Sequence, residues 1–290
     1  MPITPSQFVQ NIDNLVSLPE ACFEIERLAN DPNSSAVDIA HAVSQDAYLA
    51  AQLLKIANSS YYSFPMPVDT LSKAIAIIGV QDLKDLAIST GIIQAFSKSE
   101  IEVLNLKAYW RHSVFTGLLA RQLGAKTQTR VLCRERLFVA GLLHDIGMLA
   151  MCVKIPEVMR IVFERNGKGR ESYLEVEKLV FGLAHTDIGA QLMHKWGLPK
   201  SLQDIARYHH NPSRAKENIL ETNIIHIASS MSQYLGFSPV SSKYPVKIST
   251  SAWKQTGLTK EKVAEVVETT RTEFNNAINV FIPERQVANY

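Results

Sequence analysis

The 290-residue chain has only three cysteines, Cys22, Cys133 and Cys152. No two of them stand in C-x-x-C spacing. That argues against a disulfide framework and a thiolate-built zinc site, and the three read as reduced, buried thiols of a cytosolic protein. A surplus of either charge is also missing: 30 Lys and Arg face 28 Asp and Glu, for a net charge of +2. The nearest basic groupings, Arg130, Arg134 and Arg136, then Arg165, Lys168 and Arg170, are interrupted and read as solvated. Nucleic-acid binding, which wants a strong basic excess or a clustered stripe, is not expected. No uncharged apolar run reaches the roughly eighteen residues of a membrane span, so no membrane partner is expected. The polar start, MPITPSQFVQNIDN, lacks the features of a signal peptide. Internal repeats and low-complexity tracts are absent, and so is sustained apolar–polar alternation. The one strand-like patch, YPVKIST at 244–250, carries a Pro and a Lys that favour an extended loop.

What remains is helix after helix. Apolar residues make up 46% of the chain, ample for a core. Thr4-Pro5 reads as an N-cap and first helical position, followed by Phe8, Val9, Ile12 and Leu15 at helical spacing. Pro19 starts a second helix with Cys22, Ile25 and Leu28 on one face. Ser35 caps a third, and Asp46 a fourth, AYLAAQLLKIANS, which is apolar enough to be expected at the centre of its lobe. Pro65 and Pro67 mark a surface turn before the helix of Leu71, Ala74, Ile75 and Ile78, closed by Gly79. Leu83, Leu86, Ala87 and Phe96 define the next. The polar stretch 97–105 is a break between lobes, and 237–257, rich in Ser, Pro and Lys, is a connector. A last helix, capped by Thr259, carries Val263, Val266, Val267, Ala277 and Ile278. The fold class expected is all-α.

One segment stands apart. Residues 137–153 read LFVAGLLHDIGMLAMCV, an apolar run, expected as a buried helix, that contains His144 and Asp145. Burying an ionised carboxylate costs several kcal/mol, roughly, unless something compensates it. A metal ion does so well, and His and Asp are both ligand types. His112, His185, and the pair His209–His210 recur on successive apolar helices, and a bundle can aim such residues at one point. The remaining histidines take plainer readings: His41 on a helix surface or partly buried with no ligand role, His194 exposed beside Lys195, and His226, one turn from Ser229, a satisfied core histidine in preference to one that approaches the site. Met148 and Met151 read as core packing.

The order His112, His144-Asp145, His185, His209-His210 resembles the ligand order of the HD superfamily of metal-dependent phosphohydrolases, particularly its HD-GYP branch. Residues 15–89, with the SLPE start, the SQDAYLAAQLLKIANS helix and the turn before LSKAIAIIG, closely resemble the HDOD domain, the HD-related output domain of bacterial signalling proteins. The resemblance covers about residues 10 to 235. It implies an N-terminal helical lobe over 1–96, an HD-like helical bundle over 97–236, and a connector with a docking helix over 237–290. It also implies a metal set drawn from His112, His144, Asp145, His185, His209 and His210. Asp145, His185 and one of His209 or His210 make two histidines with one carboxylate, a set that suits iron, manganese, nickel or zinc, the plainer alternative being side chains that only hydrogen-bond one another.

The departures are informative. Ser229 stands where HD enzymes usually place a late aspartate ligand, and Met148 where HD-GYP enzymes place a lysine. The GYP loop is missing, HHNPSRAKEN following the paired histidines instead. Ala108 replaces a glutamate found in some members. Two-metal hydrolysis needs ligands for both ions and a cation for the phosphoryl charge. The resemblance therefore implies a non-catalytic, cytoplasmic signalling module that contacts separate sensor or receiver proteins and has a metal or nucleotide as ligand, with no catalytic residue expected. The competing expectation is a metal-dependent phosphohydrolase acting on a nucleotide or cyclic dinucleotide.

Overall fold

Short polar side chains at helix starts decide where most elements begin. The structure, a computed structural model, describes residues 3–10, 12, 16–59, 62, 64, 66–129, 131, 134–169, 171–240 and 247–282. Among the described residues there are α-helices and short 3-10 turns, and no strand. Thr4 accepts from the backbone of Gln7, Gln7 reaches back, and α1 runs over Pro5–Val9. Helix α2 spans Glu20–Asn30, with Pro19 in the N-cap position. Ser35 and Asp38 form the same reciprocal cap on α3, Ala36–Ser44. Asp46 caps α4, Ala47–Ala57, and Thr70 caps α5, Leu71–Ile78. Gly79, at φ 94°, turns the chain into α6, Val80–Ser97. Pro67 is exposed between α4 and α5; Pro65 lies outside the described residues.

After a break, Asn105 caps α7, Leu106–Gly124. Then follow α8, Arg134–Leu143, and α9, Ile146–Lys154. Next come α10, Pro156–Asn166, α11, Tyr173–Phe181, and α12, His185–Lys195. The remaining helices are α13, Lys200–Tyr208, α14, Ile219–Tyr234, α15, Thr250–Thr256, and α16, Lys260–Phe281. The 237–257 connector thus contains α15. The strand-like patch at 244–250 falls partly outside the described residues, and its described part forms no strand and leads into that helix.

The chain divides into two compact units. One comprises Met1–Leu15 with Glu100–Arg271, the other Val16–Ser99 with Thr272–Tyr290. These lines differ from boundaries at 96/97 and 236/237: α1 packs on α12, so it groups with the later helices. In the Val16–Ser99 unit, α4 is not the central helix. Its apolar look comes from alanines, and Ala51 and Lys55 face solvent while Leu49, Leu53, Ile56 and Ala57 are buried. The buried helix there is α6, despite its polar residues. Ser89 and Thr90 return their hydroxyls to the Asp85 and Leu86 carbonyls at 2.7 and 2.8 Å, and Lys84 pairs with Glu26 at 3.5 Å.

In the unit that carries the histidines, α7 packs on α8 and α14, and α9 packs on α12. Glycine sets both close crossings. A Cβ on Gly141 would meet the Gly117 Cα at 2.5 Å, and one on Gly147 would meet the His185 carbonyl oxygen at 2.0 Å and the Gly189 nitrogen at 2.6 Å. All these neighbours are backbone, so they cannot give way as a side-chain end could. Gly147→Ala is expected to lose about 3 kcal/mol of stability, at the upper end of overpacking effects, read as a lowered urea midpoint. An unchanged midpoint would show that α9 and α12 do not cross at this glycine.

The apolar run at 137–153 is not one helix. It breaks at His144 and Asp145, with α8 ending just before and α9 starting just after. The backbone of Asp145, φ −101° and ψ 14°, lies outside the helical range. By length and composition Arg134–Lys154 is the one described stretch long and apolar enough to cross a membrane, and 89% of that window is buried inside the structure.

Candidate metal centre

The break places Asp145 at a joint rather than on a helix face, and four histidines from other positions reach it. His112 comes from α7, His144 from the joint, His185 from the first position of α12, and His209 from the end of α13. Asp145 Oδ2 lies 3.3 Å from His144 Nε2 and 3.7 Å from His112 Nε2. Its Oδ1 lies 3.2 Å from His209 Nε2 and 3.3 Å from His185 Nε2. His210 joins through its Nε2, 3.2 Å from His185 Nε2. All six residues read from the sequence therefore converge, and both members of the His209–His210 pair take part. His41 and His194 are exposed and away from the cluster. His226 is buried and satisfied: its Nδ1 donates to the His209 carbonyl at 2.6 Å and its Nε2 accepts from the Ser249 amide at 2.9 Å.

The other ring nitrogens fix the chemistry. His112 Nδ1 faces the Phe237 carbonyl at 2.7 Å, His144 Nδ1 the Gly141 carbonyl at 2.7 Å, and His209 Nδ1 the Ala206 carbonyl at 2.9 Å. His185 Nδ1 faces the Glu177 carboxylate at 2.6 Å. Carbonyls and carboxylates only accept, so each Nδ1 carries the hydrogen, and a neutral ring then presents a bare Nε2 lone pair. His112, His144 and His209 turn such nitrogens toward one carboxylate, and His185 Nε2 faces it as well. His112 Nε2 and His144 Nε2 approach to 3.3 Å, acceptor against acceptor. Asp145 Oδ1 and His209 Nε2 are buried without a hydrogen-bond partner. No Lys or Arg lies within ion-pair distance of Asp145 or Glu177 among the described pairs.

Nitrogen donors converging on a buried carboxylate call for a cation between them, and this donor set fits a divalent transition metal. Two groups of ligand atoms, each within 4.8 Å of one another, share Asp145: Asp145 with His185, His209 and His210, and Asp145 with His112 and His144. Beside them opens a cavity of about 460 Å³ lined by Asp145, His209, His210, Met148, Ser229 and Lys247 among others. The two positions that departed from the HD pattern, Met148 and Ser229, thus line the same space as Asp145, His209 and His210.

Charge and burial push the rings apart. Burial, reinforced by His144, lowers His112 to about 4, against the pull of Asp145. Burial likewise takes His209 down to about 4, and with His209 and His185 it lowers His210. Burial works against His185 as well, but Glu177 and Asp145 outweigh it and raise this ring to about 10. At Asp145 burial favours the neutral acid, yet the surrounding imidazoles prevail and hold the carboxyl well below its usual range. An unfolded histidine titrates near 6.5, roughly. The unfolded chain therefore binds the extra protons of His112 and His209 between about 4 and 6.5, so their contribution to stability is present above 6.5 and lost as pH falls through about 4. The His185 contribution is full below 6.5 and lost as pH rises toward about 10. With a chelator present, the urea midpoint is expected to peak near pH 6.5, roughly. A midpoint that climbs steadily from pH 5 to pH 9 would contradict this balance.

Comparison with known proteins follows the same line. The family model of the HDOD domain matches residues 15–212. The chain belongs to the HDOD family. An HDOD domain protein of unknown function from Geobacter sulfurreducens shares its fold, with a TM-score of 0.73 at 21% identity, covering 98% of this chain and 95% of that one. A Shewanella amazonensis SB2B structure called "Putative phosphohydrolase" also has a TM-score of 0.73, at 22% identity, covering 97% and 98%. One from Marinobacter aquaeolei VT8, called "Putative signal transduction protein", gives 0.72 at 22%, covering 93% and 59%. An uncharacterised Treponema pallidum (strain Nichols) protein is 27% identical over 212 residues, 73% of this chain and 40% of that protein. This HDOD chain thus corresponds to well under half of that relative's length.

One residue at the centre escaped the sequence reading. Glu177, on α11, is fully buried and bonded to His185. Its signal was present: an acid one turn from Tyr173, Leu174, Val180 and Phe181, within an apolar helix face, eight residues before a histidine.

Proposed function

We propose that this HDOD chain is a metal-binding signalling module that acts through contacts with other proteins rather than through turnover. The observation that carries the reading is the shared Asp145, ringed by imidazole Nε2 atoms, beside a cavity that has Ser229 and Met148 where an enzyme of the superfamily would have acid and lysine. Asp145, His185, His209 and His210 would hold one divalent ion of the iron, manganese, nickel or zinc type, and His112 and His144 would help to hold a second on the same carboxylate. A metal there supplies an electrophilic anchor for an anionic oxygen. The chain's own residues do the rest. Carbonyl acceptors orient the rings, the apolar α8–α9 run excludes water, and Lys247 at the cavity wall offers a cation to an anionic ligand such as a nucleotide. The expected partners are separate sensor or receiver proteins. Buried, unpaired Cys22 and Cys152 support a reducing, cytoplasmic setting.

The open cavity favours a second reading, a metal-dependent phosphohydrolase acting on a nucleotide or cyclic dinucleotide. Elemental analysis of the purified protein, together with a phosphodiesterase assay under added manganese and ferrous iron, separates the two. Bound metal without turnover is the expected result. A metal-free protein that takes up none of these ions would overturn the first reading, and metal-dependent turnover would establish the second.

A further inference from the structure

Glu177 makes an unusual pair of hydrogen bonds. Its Oε2 accepts from the backbone amide of His185 at 2.9 Å and from Nδ1 of the same residue at 2.6 Å. His185 opens α12, and its N-cap residue, Ala184, has no side chain with which to cap the helix. A carboxylate from α11 therefore does two things at once. It satisfies an orphan amide at the positive end of α12, and it locks the ring to its own backbone. With Nδ1 held, Nε2 is turned toward Asp145 Oδ1 at 3.3 Å and His210 Nε2 at 3.2 Å.

Helix capping alone does not call for this residue type. A serine or asparagine serves the amide as well, without the penalty of burying a charge. Glu177 is 0% exposed, and its other oxygen, Oε1, is buried without a hydrogen-bond partner. A buried anion behind an imidazole makes sense where the far nitrogen must donate electrons, since a carboxylate on Nδ1–H strengthens Nε2 as a ligand. We infer that Glu177 is the positioning residue of the metal centre, fixing the tautomer and aim of His185 and raising its donor strength. This rests on the metal-binding reading above.

The test uses Co²⁺ as the probe, with the full chain, Glu177→Ala and Glu177→Gln. Affinity is read by chelator competition at fixed pH, ligand field by the visible Co²⁺ band, and folding by circular dichroism. Glu177→Ala is expected to bind about 10- to 100-fold more weakly, with a shifted band. Glu177→Gln keeps the shape and an acceptor oxygen but not the charge, so it should recover only part of the affinity. If Glu177 were only a cap, Glu177→Gln would match the wild type in affinity and band, and Glu177→Ala would lose thermal stability alone. Either result overturns the inference, as does Glu177→Ala binding within twofold of the wild type. Should Glu177→Ala fail to fold, the comparison of Glu177→Gln with the wild type decides. A wild-type chain that binds no Co²⁺ removes the metal reading and this role together; equal binding by wild type and variants removes only the role.

Discussion

Asp145→Ala is expected to abolish uptake at both ligand groups at once, whereas His112→Ala should affect only one. The asymmetry follows from geometry. The carboxylate is common to both sets, with Oδ2 toward His112 and His144 and Oδ1 toward His185 and His209. Structural zinc sites bind with about 10–16 kcal/mol of apparent free energy. Shared among four ligands, that is about 2.5–4 kcal/mol each, or roughly fifty- to a thousandfold in affinity. Losing the only anion of both groups should exceed that average, because the neutral imidazoles that remain cannot balance a divalent charge. The measurement is metal stoichiometry after dialysis against a fixed free concentration of Mn²⁺ or Zn²⁺, with Asp145→Asn as the volume-preserving control. Full stoichiometry in Asp145→Asn would mean that the ion sits elsewhere, and the assignment of both groups would fall.

Local chemistry was legible, and meetings between distant elements were less so. The caps at Thr4, Ser35 and Asp46 were readable because cap and helix lie within four residues of one another. The clustered histidines were readable because imidazoles are unusual in apolar stretches and follow the HD order. The joint at His144–Asp145 was not, since hydrophobicity alone runs through it without interruption. The exchange of roles between α4 and α6 came from judging a helix by composition. Alanine tolerates solvent, whereas serine and threonine become compatible with burial once their hydroxyls return to the helix's own carbonyls. Glu177 was missed for a different reason. Its role depends on α11 delivering it to the start of α12, which no spacing rule for a single helix describes. The same holds for Gly147, which serves in the structure as the contact between α9 and α12.

Turnover of cyclic di-GMP by the metal-loaded chain is expected to fall far below ordinary enzyme rates. A two-metal hydrolysis needs a bridging nucleophile, ligands on both ions and a cation near the phosphoryl oxygens. Ser229 is a neutral, weak ligand where the superfamily usually supplies an anion, and Met148 carries no charge where a lysine would help. Both line the cavity beside Asp145, His209 and His210, so neither loss is remote from the chemistry. Removing one preorganised charge-stabilising group costs about 3–4 kcal/mol of transition-state stabilisation, and two independent losses compound. Lys247 lines the same cavity but is an exposed side chain, and a solvated cation stabilises a developing charge far less than a desolvated one. The experiment loads the protein with Mn²⁺ or Fe²⁺, follows hydrolysis, and repeats both steps with Ser229→Asp and Met148→Lys combined. The double variant should bind metal at least about tenfold more tightly, since a second anion joins the set, and any activity should appear there first. Wild-type turnover of about one per second or more, lost in Asp145→Ala, would reverse the conclusion and make this HDOD chain an enzyme that works without the late aspartate.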